Sequence, residues 1–219
     1  MLDERTDGLA QQTDELIAEI RAAMRPRLFV ISGPSGVGKD TVIDGLRTRM
    51  PDFYFAVTAT TRPRRPGEAD GVHYLFVTEE QFIEDREHGE FIEFAEVYGY
   101  WYGVPKHSIR AALRNGRDVI VKVDVQGSAT IRQLAPEAVL IFLMPPSLDD
   151  LFQRLLHRKT DGENVVLRRI RTSAHELTMV RQFDYAVFNE EDRLDQTLDQ
   201  ILAIMTAERL RVHQPSLDL

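Results

Sequence analysis

Nine consecutive residues, Gly33-Pro34-Ser35-Gly36-Val37-Gly38-Lys39-Asp40-Thr41, have the types and spacing needed to hold a polyphosphate. Glycines let backbone N–H groups turn inward around a phosphate, and a lysine directly after the last glycine supplies a mobile cation for the terminal phosphate. The motif counts only after a strand and at the mouth of a helix. Both conditions are met, by the apolar run Leu28-Phe29-Val30-Ile31 before it and by the helical spacing of Val42, Ile43 and Leu46 after it. The chemistry implied is binding of ATP-type phosphates. One position departs from the motif: Asp40 follows the lysine where Ser or Thr ordinarily touches Mg²⁺. A carboxylate ~4 Å from a phosphate charge costs on the order of 4 kcal/mol at an effective dielectric near 20 unless a metal sits between them. Asp40 therefore either binds the metal, directly or through water, or points away, and the Thr41 hydroxyl can face the base or the core.

A second cluster follows in Thr58-Ala59-Thr60-Thr61-Arg62-Pro63-Arg64-Arg65-Pro66-Gly67-Glu68, with Tyr74 just beyond it. Two arginines three apart on a proline-stiffened loop, with a tyrosine hydroxyl, make a clamp for a second phosphate through charge-assisted hydrogen bonds. The same run also reads as a solvated basic loop. The six histidines show no metal-ligand spacing. Trp101, between Tyr100 and Tyr102, reads as part of an aromatic core in preference to a base-stacking platform.

These residues need elements to hold them. Helical spacing predicts a helix over 13–24, capped by Thr13 and stopped by Pro26. A buried strand over 27–32 and a helix over 38–49 flank the phosphate loop. Short β-like runs at 54–58, 74–77 and 91–98, with a helix over 79–88, suggest an inserted α/β lobe. Strands at 118–123, 139–143 and 185–188 then alternate with helices at 108–115, 126–134, 148–157, 163–181 and 194–211, which implies a mostly parallel sheet covered on both faces. The 219 residues suit one catalytic α/β unit. With 43% hydrophobic residues, no cysteine and no apolar run near the ~20 residues that cross a bilayer, the composition predicts a cytoplasmic protein without a membrane partner. A net charge of −8 argues against general nucleic-acid binding.

On these motifs the sequence resembles guanylate kinases. It shares with them the phosphate loop, the Thr60–Glu68 run, Gly-Glu-Phe-Ile-Glu at Gly89–Glu93, Tyr102-Gly103, Asp-Val-Gln-Gly at Asp124–Gly127 and Arg-Lys-Thr-Asp at Arg158–Asp161. The resemblance covers roughly residues 27–211. It implies a three-layer P-loop kinase core with a parallel sheet, an inserted α/β GMP-binding lobe and a short lid. The expected division is an N-terminal helical extension (1–26) and a kinase domain (27–213) with core 27–52 and 105–213, acceptor lobe 53–104 and lid about 155–168.

The resemblance also implies the chemistry, transfer of the ATP γ-phosphate to GMP, and to dGMP, in purine nucleotide metabolism, with Mg²⁺ accompanying ATP and Asp40 as its one candidate protein ligand. Arg62, Arg65, Tyr74 and Tyr102 would hold the GMP phosphate, and Thr58 matches a further GMP contact. Glu93 and Asp124 would accept from the N1–H and exocyclic amine of guanine. Lys39, Arg158 and Arg169 would act on the transferring group, with Arg154 a further arginine of the lid. A monomer or homodimer taking only small-molecule substrates is expected. Two further positions depart from the family: Val104, where Ser or Thr usually faces the guanine edge, and Lys122, where an acid usually lies two residues before Asp124. Asp40 also keeps a ribose 1,5-bisphosphate kinase in view, and an inactive phosphopeptide-binding module is the reading from outside enzymology, although such modules lose the loop lysine and glycines that are intact here.

Overall fold

The computed structural model describes residues 2–97, 99–156 and 163–212. Helix α1 (Leu2–Ala23) precedes strand β1 (Leu28–Ser32) and helix α2 (Lys39–Arg49). Strands β2 (Tyr54–Phe55), β3 (Ala59–Thr60) and β4 (Leu75–Phe76) lead to α3 (Glu79–Glu87) and the pair β5 (Phe91–Val97) and β6 (Tyr100–Pro105). Then come α4 (Lys106–Arg114), β7 (Val119–Lys122), α5 (Val125–Leu134), β8 (Val139–Met144), α6 (Leu148–Leu156), α7 (Glu163–Thr178), β9 (Tyr185–Phe188) and α8 (Leu194–Arg209).

The principal sheet has the order β2-β7-β1-β8-β9 and every pairing in it is parallel. Its central strand explains why. Leu28 and Val30 face one apolar cluster, with Ile109 of α4 and Ile131 of α5, while Phe29 and Ile31 face another, with Leu46 of α2 and Ile201 of α8. A strand apolar on both faces is stable only between two helical layers, so the three-layer core follows from the unbroken apolar run. The C-terminal ends of β1 and β7 therefore lie side by side, with Ile31 paired to Lys122, and deliver the phosphate loop and Asp124 to one edge.

The smaller sheet, in the order β4-β3-β6-β5, is mixed. The run over 54–58, expected as one strand, pairs only through Tyr54 and Phe55, with β7, and Ala59 and Thr60 just beyond it pair with β4 and β6 in the other sheet. Thr58 stands at this crossing between sheets. Strand β6 lies beyond the β-like run expected over 91–98. Trp101 stacks with Phe82 at 5.8 Å between ring centroids and belongs to the aromatic core of this lobe. Helix α1 runs through Thr13, which is not its cap, and Gln11 bonds Glu15 across that position at 3.1 Å. A single Gly8 among helix-favouring residues costs only ~1 kcal/mol, too little to stop the helix upstream.

At the opposite end of β1 from the phosphate loop, an ionic network ties the sheet to α8. Buried Arg27 contacts Glu208 at 3.2 Å and donates its backbone N–H to Asp118 at 2.6 Å, while the Tyr185 hydroxyl donates to Glu208 at 2.5 Å. Glu208→Ala leaves a buried guanidinium without its carboxylate, and unfolding free energy in a urea titration should fall by about 3–5 kcal/mol. Glu208→Gln keeps an acceptor for Tyr185 and should fall between the two.

Candidate active site

The loop after β1 adopts the shape its glycines require. Gly33 has φ +147°, and a Cβ there would meet the Leu143 carbonyl oxygen at 2.5 Å. Gly38 has φ +99° and caps α2, and a Cβ there would meet the Asn189 amide at 2.5 Å. No L side chain fits either position without displacing backbone or a buried amide.

Side chains tie down the carbonyl side of the loop. Lys39 Nζ donates to the oxygens of Gly33 (2.6 Å) and Pro34 (3.1 Å), Ser173 Oγ donates to Ser35 O (3.3 Å), and Asn189 Nδ2 donates to Val37 O (2.7 Å). Arg154 reaches the same Val37 oxygen at 3.3 Å and Asn189 O at 3.4 Å. With the carbonyls engaged from outside, the N–H face remains toward an anion. One such group is already used: Ser35 N–H donates to Glu176 at 3.1 Å. Burial lowers the Lys39 pKa, opposed in turn by Glu176, Asp124 and Asp40, with Lys122 adding to the fall. Burial likewise raises that of Glu176, against the Ser35 bond and the Lys39 charge.

Asp40 is paired. Its Oδ1 lies 2.5 Å from Lys122 Nζ, so two of the sequence's departures from the family pattern meet each other. Thr41 is exposed, which excludes the core as its destination. For Mg²⁺, no group of three or more His, Asp or Glu among the described residues forms a metal cage. Nucleotide-bound Mg²⁺ keeps several waters and takes one or two carboxylates, so a single carboxylate at the mouth of the loop, 73% exposed, fits that mode.

In the smaller sheet Arg62 is buried and donates to Glu68 Oε1 at 2.7 Å and to Pro63 O at 2.6 Å, with its guanidinium 5.3 Å from the Tyr74 ring centroid. The Glu68 bond raises the Arg62 pKa, and a hydrogen bond with Tyr102 adds to it. Tyr74 and Tyr102 pack edge to face at 6.0 Å. Arg65 is exposed and joins the group through its backbone, its N–H donating to Glu68 Oε2 at 2.7 Å. Glu68, which the sequence reading did not place in the site, thus holds both arginine positions in one loop shape. Thr58 and Tyr74 line a cleft with Lys122.

Glu93 and Asp124 come together at the start of α5. Asp124 caps that helix, accepting from Gly127 N–H at 2.7 Å, and a Cβ on Gly127 would meet Glu93 Oε2 at 2.8 Å. Asp124 is therefore both the helix cap and a wall of the site. Glu93 is only 7% exposed, and burial, then the Asp124 charge, push its pKa to about 8. Val104 lies opposite Glu93 in the β5–β6 register and belongs to the buried apolar cluster.

Residues 157–162 of the expected lid, Arg158 among them, fall outside the described residues, and Arg169 is placed only as a position on α7. Sequence reasoning missed Asn189, Glu176, Ser173 and Glu68. Glu68 lay in a recognisable run, but the other three reach the loop from more than a hundred residues away and carry no local signal.

A raised carboxyl pKa makes stability depend on pH. Below about 4.5 Glu93 is protonated folded and unfolded; between there and about 8 only the folded state holds the proton, so stability falls as pH rises, and above 8 the loss is complete. Glu93→Gln removes this slope of up to about 1.4 kcal/mol per pH unit. The melting temperature of the variant relative to the wild type should climb from pH 5 to pH 8 and then level off.

A family model described as guanylate kinase matches residues 25–208. The chain is 43% identical over 196 residues to guanylate kinase 2, chloroplastic/mitochondrial, of Oryza sativa subsp. japonica, covering 89% of this chain and 69% of that protein. It is 42% identical over 185 residues to guanylate kinase of Desulfitobacterium hafniense, covering 84% and 92%. Among solved structures, the crystal structure of guanylate kinase from Anaplasma phagocytophilum superposes with a TM-score of 0.69 at 31% identity, covering 85% of this chain and 88% of that one.

Proposed function

This chain belongs to the guanylate kinase family, and from that premise we infer that it transfers the γ-phosphate of ATP to GMP, yielding ADP and GDP. The observation that carries the acceptor assignment is the meeting of Glu93 and Asp124 at Gly127, beside a loop that engages phosphates. Two carboxyl groups side by side complement the N1–H and amine of guanine, an arrangement adenine does not offer. Such a site can discriminate by ~10⁴-fold, because the wrong base leaves buried acceptors unpaired.

The division of labour proposed here assigns the ATP phosphates to residues 33–41 and the GMP phosphate to Arg62, Arg65, Tyr74 and Tyr102, with Thr58 a further GMP contact, in an acceptor lobe spanning 53–104. Arg62 arrives pre-aligned by Glu68, so little side-chain entropy remains to be lost on binding. The acceptor is a phosphate monoester with a second pKa of ~6, already an anion at neutral pH, so no general base is required. The work is positioning two polyanions in line and stabilising charge on the group in flight. Lys39 begins that, and Arg158 and Arg169 would complete it from the lid, excluding water so that ATP is not hydrolysed. Asp40, directly or through water, would hold the Mg²⁺ that accompanies ATP, and the ion would supply neutralisation of phosphate charge. ATP must displace Glu176 from the Ser35 N–H, since both are anions competing for one donor.

An ADP-release assay over GMP, dGMP, AMP, CMP and UMP should give turnover with the guanine nucleotides and at least a hundredfold lower kcat/KM with AMP; equal rates with AMP would sink the guanine assignment. Guanine donors favour ionised Glu93, so binding expels its proton. The KM for GMP should therefore fall as pH rises toward 8, and in Glu93→Gln a weaker affinity should lose that dependence.

A further inference from the structure

We propose that Lys122 is a catalytic residue of the transfer step, a second ammonium that Asp40 holds at the junction of donor and acceptor sites until the phosphates of both substrates draw it away. The inference rests on the GMP kinase reading above and adds a residue to it.

Three observations place Lys122 on the path of the phosphoryl group. It ends β7 in register with Ile31, beside the strand that runs into the phosphate loop. It lines the same cleft as Thr58 and Tyr74 of the acceptor lobe. It contacts Asp40 in the first turn of α2, one residue beyond Lys39. One cation thus has the donor loop on one side and the acceptor clamp on the other.

The ion pair itself contributes little to the fold. The Asp40 side chain is 73% exposed and that of Lys122 is 32% exposed, and pairs of that kind are screened by water. Hydrogen bonds from an ammonium to phosphate oxygens in a closed, dry site are far stronger, so phosphates outcompete Asp40 for the lysine. The charge pattern points the same way. Where guanylate kinases tend to carry Ser or Thr followed by a distant acid, this chain carries Asp40 and Lys122, which retains one carboxylate for the metal and adds one positive charge. In the transfer, a GMP phosphate oxygen bonds to the γ-phosphorus as the bond to the β–γ bridging oxygen breaks and ADP departs. Lys122 keeps its protons throughout and donates hydrogen bonds to the oxygens gaining charge. With Lys122 removed, Asp40 faces the triphosphate uncompensated.

The test compares wild type, Lys122→Met, Lys122→Arg, Asp40→Ser and the double variant Lys122→Met/Asp40→Ser, by steady-state kinetics with GMP, calorimetric ATP binding in EDTA, and thermal melting. Lys122→Met should lose about 10²-fold in kcat, the scale of deleting one donor to a developing oxyanion, with the melting temperature unchanged. Lys122→Arg should stay within about tenfold of the wild type, since the charge is kept. ATP binding should weaken in Lys122→Met and recover in the double variant, while kcat does not recover. A kcat for Lys122→Met within twofold of the wild type, equal damage by Lys122→Arg and Lys122→Met with a lowered melting temperature, or strictly additive effects on ATP binding would each overturn the proposal. If the wild type itself fails to phosphorylate GMP, the underlying functional reading has failed instead.

Discussion

The architecture turns on where the carbonyl groups of residues 33–37 go. A loop that binds phosphate through its N–H groups must present them together, and the backbone then turns its carbonyl oxygens the other way, toward the protein. Unpaired and buried, those oxygens would each cost on the order of 1–3 kcal/mol. Here Lys39, Ser173, Asn189 and Arg154 meet them, from α2, α7, the end of β9 and α6. The helices on this side of the sheet and its last strand therefore do more than cover hydrophobic surface: together they fix one loop.

The smaller sheet poses the reverse problem. The proposed acceptor site has to hold an anion next to two carboxyl groups, and the structure separates the conflicting charges by depth. Arg62 lies beside the rings of Tyr74 and Phe76 and is aligned by Glu68, while Glu93 is buried and burial disfavours its charged form. A neutral Glu93 beside Asp124 avoids the repulsion of two adjacent carboxylates.

Much of this was legible in the sequence wherever a local pattern carried it. The strand, glycines and lysine of the loop announced themselves, and the unbroken apolar run of β1 predicted a sheet covered on both faces. The Pro-stiffened arginine run read equally as a phosphate clamp and as a solvated loop, and folding buries Arg62 while leaving Arg65 exposed. What stayed hidden were relations across distance. Asp40 and Lys122 each read as an anomaly, and only folding shows that they form a pair, because α2 carries the one back over the strand end that carries the other. Strand β6 rests on pairing on both sides, with β3 and β5. Thr13 looked like a cap because the helical pattern was sought from apolar residues, and the polar turns before it carry none of that signal.

The bond from Asn189 to Val37 spans 152 residues, which gives the loop a place in time as well as in space. During synthesis the phosphate loop leaves the ribosome first, and the amide that shapes it follows roughly 10–30 s later at ~5–20 residues per second. A nascent chain thus holds every residue of the motif without the conformation that makes it a receptor. Nucleotide bound only by the finished fold then acts as a ligand of completion, adding stability to whole molecules and none to fragments.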